Sequence, residues 1–246
     1  VLVYHAISDL DGDPVLAEHS VPPDRFAEQL DVLERRGWNF VDLDTVVATV
    51  NGGNGELPER AVLVTFDDAY EDLRDEACPI LEQREIPAVA FAVAGQMGGT
   101  NEWDLQHGAE ELNLLCPDGL REIAERGVEV GSHAVSHRLL TEVPSAELDR
   151  ELSGSADRLD AIGLSRPRAF AYPFGQWNEQ VADAVRDAGY EVAFTVDRGA
   201  VEPDSDPYAL PRFAVHADDT GHKLHLKLLT ARWRHALRDA WHRFRA

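Results

Sequence analysis

The strongest constraint on this chain is an alternation of short apolar runs with segments whose apolar residues recur at helical spacing. The runs fall at 1–4, 62–66, 88–94, 128–130, 169–172, 192–195 and 213–215. They are too short for helices and mostly lack the in-and-out polarity of a half-exposed strand. They therefore read as strands buried on both faces, as in a parallel sheet. Between them, Phe26, Leu30 and Leu33 mark a helix closed by Gly37, Leu152 and Leu159 mark a second, and Val181, Val185 and Ala188 mark a third closed by Gly189. The predicted class is α/β, and seven to eight such repeats imply closure into a (β/α) barrel, with an open doubly wound sheet as the alternative.

The run AVLVTFDDAY at 61–70 ends in two adjacent carboxylates, Asp67 and Asp68. Charges this close repel unless a cation or a proton separates them. The competing reading is a helix N-terminus, where Asp is common as a cap. Other strands also end in residues suited to chemistry: His5 after VLVY, His133 in GSHAVSH, and Pro173-Phe174-Gly175 after FAY. In a parallel barrel the carboxyl ends of strands share one face, so these residues are expected to converge. His133 and His137 are four residues apart, which on one helical turn aims both imidazoles at a common point. With one carboxylate they form a two-His, one-Asp set that leaves a coordination position open. Zn2+ suits it best, and iron, cobalt or manganese are alternatives.

Composition narrows the partners. Acidic residues outnumber basic ones 45 to 23, for a net charge of −22, while 44% of residues are apolar, as in a globular domain. Nucleic acid is excluded as a partner on this charge. The only lysines are Lys223 and Lys227; an acid-rich, lysine-poor surface resembles proteins adapted to high salt, where screening weakens self-repulsion. Cys78 and Cys116 are too few for a disulfide framework. The loop bearing Asp9, Asp11 and Asp13 has the spacing of a calcium loop but lacks the distal bidentate acid, so it reads as a turn. No run reaches the roughly 18 apolar residues a transmembrane helix needs. No charged-then-apolar leader precedes Val1, and because the chain opens inside a strand, its compartment stays open between cytoplasmic and surface-associated. Residues 1–220 read as one catalytic domain. The stretch 221–246 reads as a basic terminal helix with Arg232, Arg234, Arg238, Arg243 and Arg245, docked on the acidic domain or making a weak contact with an anionic surface.

TFDD at 65–68, GSHAVSH at 131–137 and FAYPFG at 170–175, in this order, resemble the polysaccharide deacetylases of the NodB-homology type, carbohydrate esterase family 4. The resemblance spans residues 1 to about 215. It implies a distorted (β/α) barrel and metal-dependent removal of acetyl groups from N-acetylated sugars, with an acetylated glycan as partner. By resemblance, Asp67 is the general base and Asp68, His133 and His137 are the metal ligands. Tyr4-His5 is similar to the permuted branch that includes poly-N-acetylglucosamine deacetylases, which makes His5 the general acid, with His216 as the alternative. Two departures stand out. Ala134 occupies a position where the family commonly has Ser or Thr, a loss that Ser132 or Ser136 can offset. Ala171 replaces the arginine that usually pairs with the catalytic aspartate, and Arg212 in LPRF resembles its substitute in the permuted branch. Tyr172, Pro173, Phe174, Gly175 and Trp177 are expected at the sugar or acetyl pocket, with a main-chain N–H near Phe174 facing the oxyanion. The same site would also serve an O-acetyl ester or a non-sugar amide, and a silent carbohydrate-binding protein is the non-enzymatic alternative.

Overall fold

The structure, a computed structural model, describes residues 1–52 and 57–230. The first half runs β1 (Leu2–Tyr4), α1 (Pro23–Arg35), β2 (Asn39–Phe40), α2 (Leu43–Val50), β3 (Ala61–Val62), β4 (Val64–Phe66), a π-helical turn at Leu73–Ala77, α3 (Cys78–Gln83) and β5 (Ala88–Ala92). The second runs α4 (Glu102–Leu105), α5 (Pro117–Glu125), β6 (Val128–Ser132), α6 (Ser145–Ala161), β7 (Ala169–Ala171), α7 (Glu179–Asp187), β8 (Val192–Phe194) and β9 (Phe213–Ala214). Asp42 caps α2 by accepting from the Thr45 N–H at 2.9 Å, and Asn178 caps α7 through the Val181 N–H at 2.9 Å, each satisfying an amide the helix leaves unpaired.

Seven parallel strands in the order β8-β7-β6-β5-β4-β1-β9 curl into a half-barrel, a NodB-like distorted (β/α) barrel rather than an open doubly wound sheet. The strands β2 and β3 pair separately. The apolar run at 61–66 therefore changes partner at Leu63: β3 pairs with β2 and β4 with β1.

Alternation along the strands sends apolar side chains to the two faces of the sheet. Leu2, Tyr4, Val64, Phe66, Ala88 and Ala90 pack outward with Phe26, Leu30 and Leu33 of α1 and Leu120 and Ile123 of α5. Leu63, Val89, Phe91, Ala171 and Phe194 face inward, where Leu43, Val46 and Val50 of α2 fill the barrel. Inward-facing Leu63 and Thr65 are followed, two residues on, by Asp67, so the strand's own period sends this carboxylate toward the barrel interior.

Residues 221–230 are helical. Leu224 and Leu228 are buried in the outer core, and Trp38 Nε1 donates to His225 Nδ1 at 3.0 Å. The basic residues of the predicted terminal helix, from Arg232 onward, lie outside the described residues, as does part of the loop at 51–60.

Candidate active site

The parallel register brings the polar strand ends together. β1 pairs with β4 at Tyr4↔Phe66, so His5 and Asp67 leave neighbouring strands at the same level. β9 pairs with β1 at Val3↔Ala214, which sets His216 level with His5 on the other side.

Asp67 is buried and bound by a guanidinium. Arg212 Nη1 donates to Asp67 Oδ1 and Nη2 to Oδ2, both at 2.7 Å. Nη1 also donates to Thr65 Oγ1 at 3.2 Å and Nε to the Thr195 carbonyl at 2.8 Å. The Phe91 and Phe194 rings lie 5.6 and 5.9 Å from the guanidinium carbon. Arg212 is 0% exposed, so this bidentate pair is shielded from water. Burial acts to raise the Asp67 carboxyl, but Arg212, with His133 and His5 behind it, holds it below the usual carboxylate range.

Asp68 turns the other way. Its backbone, like that of Ala69, is left-handed, with φ of 70° and 57°, so the chain reverses immediately after the strand. Asp68 Oδ1 lies 3.2 Å from His137 Nε2 and 3.6 Å from His133 Nε2. One ligand atom from each of the three lies within 4.8 Å of the others, and all three residues are buried. His133 Nδ1 meets the Ala171 carbonyl at 2.7 Å; as the donor there, it leaves the Nε2 lone pair facing Asp68. Burial pushes His133 down to about 4, so it is neutral at pH 7. Burial acts to raise the Asp68 carboxyl, but His137 and His133 hold it well below the carboxylate range. Two imidazoles beside a carboxylate, with Asp68 Oδ1 and His137 Nδ1 buried and lacking hydrogen-bond partners among the described residues, form a donor set that fits a divalent cation.

The turn that presents the histidines is not the helical turn their spacing suggests. Residues 134–136 form a turn outside any helix, with Ala134 at φ 64° and His137 at φ 51°. The two rings still converge, their centroids 4.9 Å apart, because the reversal folds the segment back over the strand end.

A sequence model of the polysaccharide deacetylase family matches residues 54–193. Poly-beta-1,6-N-acetyl-D-glucosamine N-deacetylase of Staphylococcus epidermidis is 30% identical over 221 residues, covering 86% of this chain and 73% of the relative. The chain belongs to the polysaccharide deacetylase family. Among solved structures, IcaB from Ammonifex degensii superposes with a TM-score of 0.77 at 25% identity, over 91% of this chain and 93% of that one. The Streptococcus pyogenes deacetylase PplD, in complex with acetate, superposes with a TM-score of 0.78 at 24% identity, over 92% and 96%, a likeness of fold.

Within this family framework the remaining expected residues divide. A cleft with a cavity of about 800 Å³ opens at the histidine turn, lined in part by Trp103, His137, Arg138, Phe174 and Gln176. Phe174 is 47% exposed and meets His137 at 4.6 Å between centroids, while Trp103 stacks on the other side at 4.1 Å. Phe174 holds a left-handed φ of 57°. At Gly175, with φ of +67°, a Cβ would overlap the Val196 side chain, so only glycine fits. Tyr172 packs away from the cleft, with Phe170 under α6 and α7: it is 0% exposed and donates its hydroxyl to the Tyr208 carbonyl at 2.8 Å. Trp177 packs on Tyr172 and donates to Asp197 at 3.2 Å. Neither lines the cleft, and Pro173 is buried.

Sequence reasoning passed over His19, whose ring sits between His5 at 5.1 Å and His216 at 5.8 Å. It is held down to about 4, chiefly by burial and then by its two histidine neighbours. No spacing signal links residues so far apart in the chain. The Asp-rich loop is a turn that also braces its surroundings. Asp13 accepts from the Val15 and Leu16 N–H groups at 2.8 and 2.7 Å and from the Glu110 N–H at 2.6 Å. It thereby ties the first loop to the segment that carries Trp103.

Proposed function

We propose that the chain is a metal-dependent hydrolase that removes acetyl groups from N-acetylated sugars of a poly- or oligosaccharide. One observation carries the reading: two aspartates adjacent in sequence have opposite company, Asp67 a guanidinium and Asp68 two imidazoles. Asp68, His133 and His137 would hold the cation, with Zn2+ the best match to nitrogen and carboxylate donors. Bound there, it supplies Lewis acidity, which lowers the pKa of a water to about 7 and polarises a carbonyl.

The chain's own residues divide the protons. Asp67, kept ionised by Arg212, accepts one from the attacking water. His5, level with Asp67 across the β1–β4 pair, gives one to the departing nitrogen. His5 leaves the strand next to Asp67, whereas His216 leaves β9, one strand farther away, and pairs with Glu18 at 3.3 Å, which favours His5 as the acid. Trp103 and Phe174 flank the histidine turn as apolar faces on which a sugar ring can stack. The Staphylococcus epidermidis relative, an N-deacetylase by name, supports an amide over an ester.

Chelation is the test. Incubation with EDTA should abolish acetate release from oligomers of β-1,6-linked N-acetylglucosamine, and added Zn2+ should restore it. Full activity after chelation, or activity on acetylated xylan alone, would overturn the reading. The acidic surface supports a second expectation, that the fold suits high salt. Raising NaCl shortens the Debye length from about 10 Å at 0.1 M to about 3 Å at 1 M, so Tm should rise over that range. A flat or falling Tm would contradict this.

A further inference from the structure

The turn between β6 and His137 is gripped from two sides. On the sheet side, the Ala94 N–H donates to the Ala134 carbonyl at 3.0 Å and the Gly95 N–H to the Val135 carbonyl at 2.8 Å. A Cβ at Gly95 would overlap that carbonyl, so glycine is what lets the two backbones close. On the helix side stands Glu151 of α6, 5% exposed. Its Oε2 accepts from the Val135 N–H at 3.1 Å and the Ser136 N–H at 3.0 Å, and its Oε1 from the Ser136 hydroxyl at 2.7 Å. One helical turn on, buried Ser155 shares a hydrogen bond with the Ser132 hydroxyl at 2.6 Å and donates to the Ala134 carbonyl at 3.2 Å.

The pair Glu151 and Ser155 thus brackets residues 132–136, the connection between the two histidines. That segment needs holding, because Ala134 and His137 occupy the left-handed region that residues with a Cβ seldom adopt. Ala134 offers no hydroxyl of its own for the purpose. Buried carboxylates are costly unless their oxygens are satisfied, and those of Glu151 are satisfied by the turn.

We infer that Glu151 is a positioning residue for the metal centre, fixing the His133 and His137 nitrogens at ligand spacing before a cation arrives. It touches neither cation nor substrate; it acts through the main chain of 135 and 136. Partners one step removed from a ligand commonly change metal affinity by about 10–100-fold. The inference rests on the ligand set proposed above.

The experiment is titration of the metal-free protein with Zn2+, read as Kd by calorimetry. Glu151→Ala should raise Kd by about 10–100-fold. Glu151→Gln should stay within a few-fold of wild type, since an amide oxygen can accept both N–H groups and its NH2 can donate to the serine hydroxyl. Ser136→Ala, a milder loss should Glu151→Ala not fold, should weaken Zn2+ less than Glu151→Ala but measurably. Leu159→Ala, which cavitates the buried face of the same helix, should lower Tm yet leave Kd unchanged. A wild-type Kd in Glu151→Ala, or in Ser136→Ala if the former is insoluble, would overturn the inference, as would equal weakening in Leu159→Ala. His137→Ala separates the two claims: if it binds Zn2+ like wild type, the ligand set itself fails.

Discussion

Asp67→Asn is expected to slow acetate release by about 10²–10⁴-fold with little change in KM. Asparagine keeps the shape of the side chain but cannot take a proton, so the loss should fall on kcat. The argument begins in the strand. Period two along β4 sends residue 67 inward, and there Arg212 binds it through both carboxylate oxygens at 2.7 Å. The pairing makes Asp67 a weaker base but keeps it ionised at pH 7, because its carboxyl is held below the usual carboxylate range. A carboxylate with a fixed orientation and no competing hydrogen bond from bulk water is suited to take a proton at one point. A variant with wild-type kcat would remove Asp67 from the chemistry, and a melting curve shows whether the fold survives.

Arg212→Met should be the most destabilising single change at the site. It leaves the Asp67 carboxylate buried without its partner, a loss that typically costs about 3–5 kcal/mol, measurable by urea denaturation at pH 7. The sign with pH follows from the direction of the shift. The pKa of Asp67 is depressed in the folded wild type, so the pair contributes stability above the unfolded carboxyl value of about 3.9 and loses it as pH falls through the folded value. In Arg212→Met, burial acts unopposed by the guanidinium and raises the Asp67 pKa, so the penalty should shrink as pH drops toward 5. Asp67→Asn with Arg212→Met should recover part of the loss, since no unpaired charge then remains. Equal stability of Arg212→Met and wild type at pH 7 would show the pair to be energetically neutral.

How much of this was readable in the sequence depends on the range of the interaction. The strands and helices were legible because burial on both faces and helical spacing are local signals: the runs at 88–94 and 128–130 became β5 and β6, each within a few residues. The convergence of His5, Asp67, Asp68 and His133 followed from the parallel register, which sets strand ends level whatever fills the loops. Spacing alone misjudged the His133–His137 segment, because two left-handed residues replace the helix that a four-residue interval suggests. Tyr172 was expected in the pocket, but its strand alternation sends it to the core beside Phe170. Glu151 left a trace that a closer reading can use. It lies on the same stripe of α6 as Leu148, Leu152, Ser155 and Leu159, and a charged residue on an apolar stripe needs a buried partner. What that partner is depends on a turn outside the helix, which no local pattern records.

The central claim is the division of labour between neighbouring carboxylates, Asp67 for the proton and Asp68 for the metal. The most direct measurement is the Zn2+ content of Asp67→Asn and Asp68→Asn after metal loading and gel filtration. The expected result is Zn2+ retained at the wild-type level in Asp67→Asn and lost in Asp68→Asn. Equal retention in both, or loss in Asp67→Asn alone, would contradict the assignment.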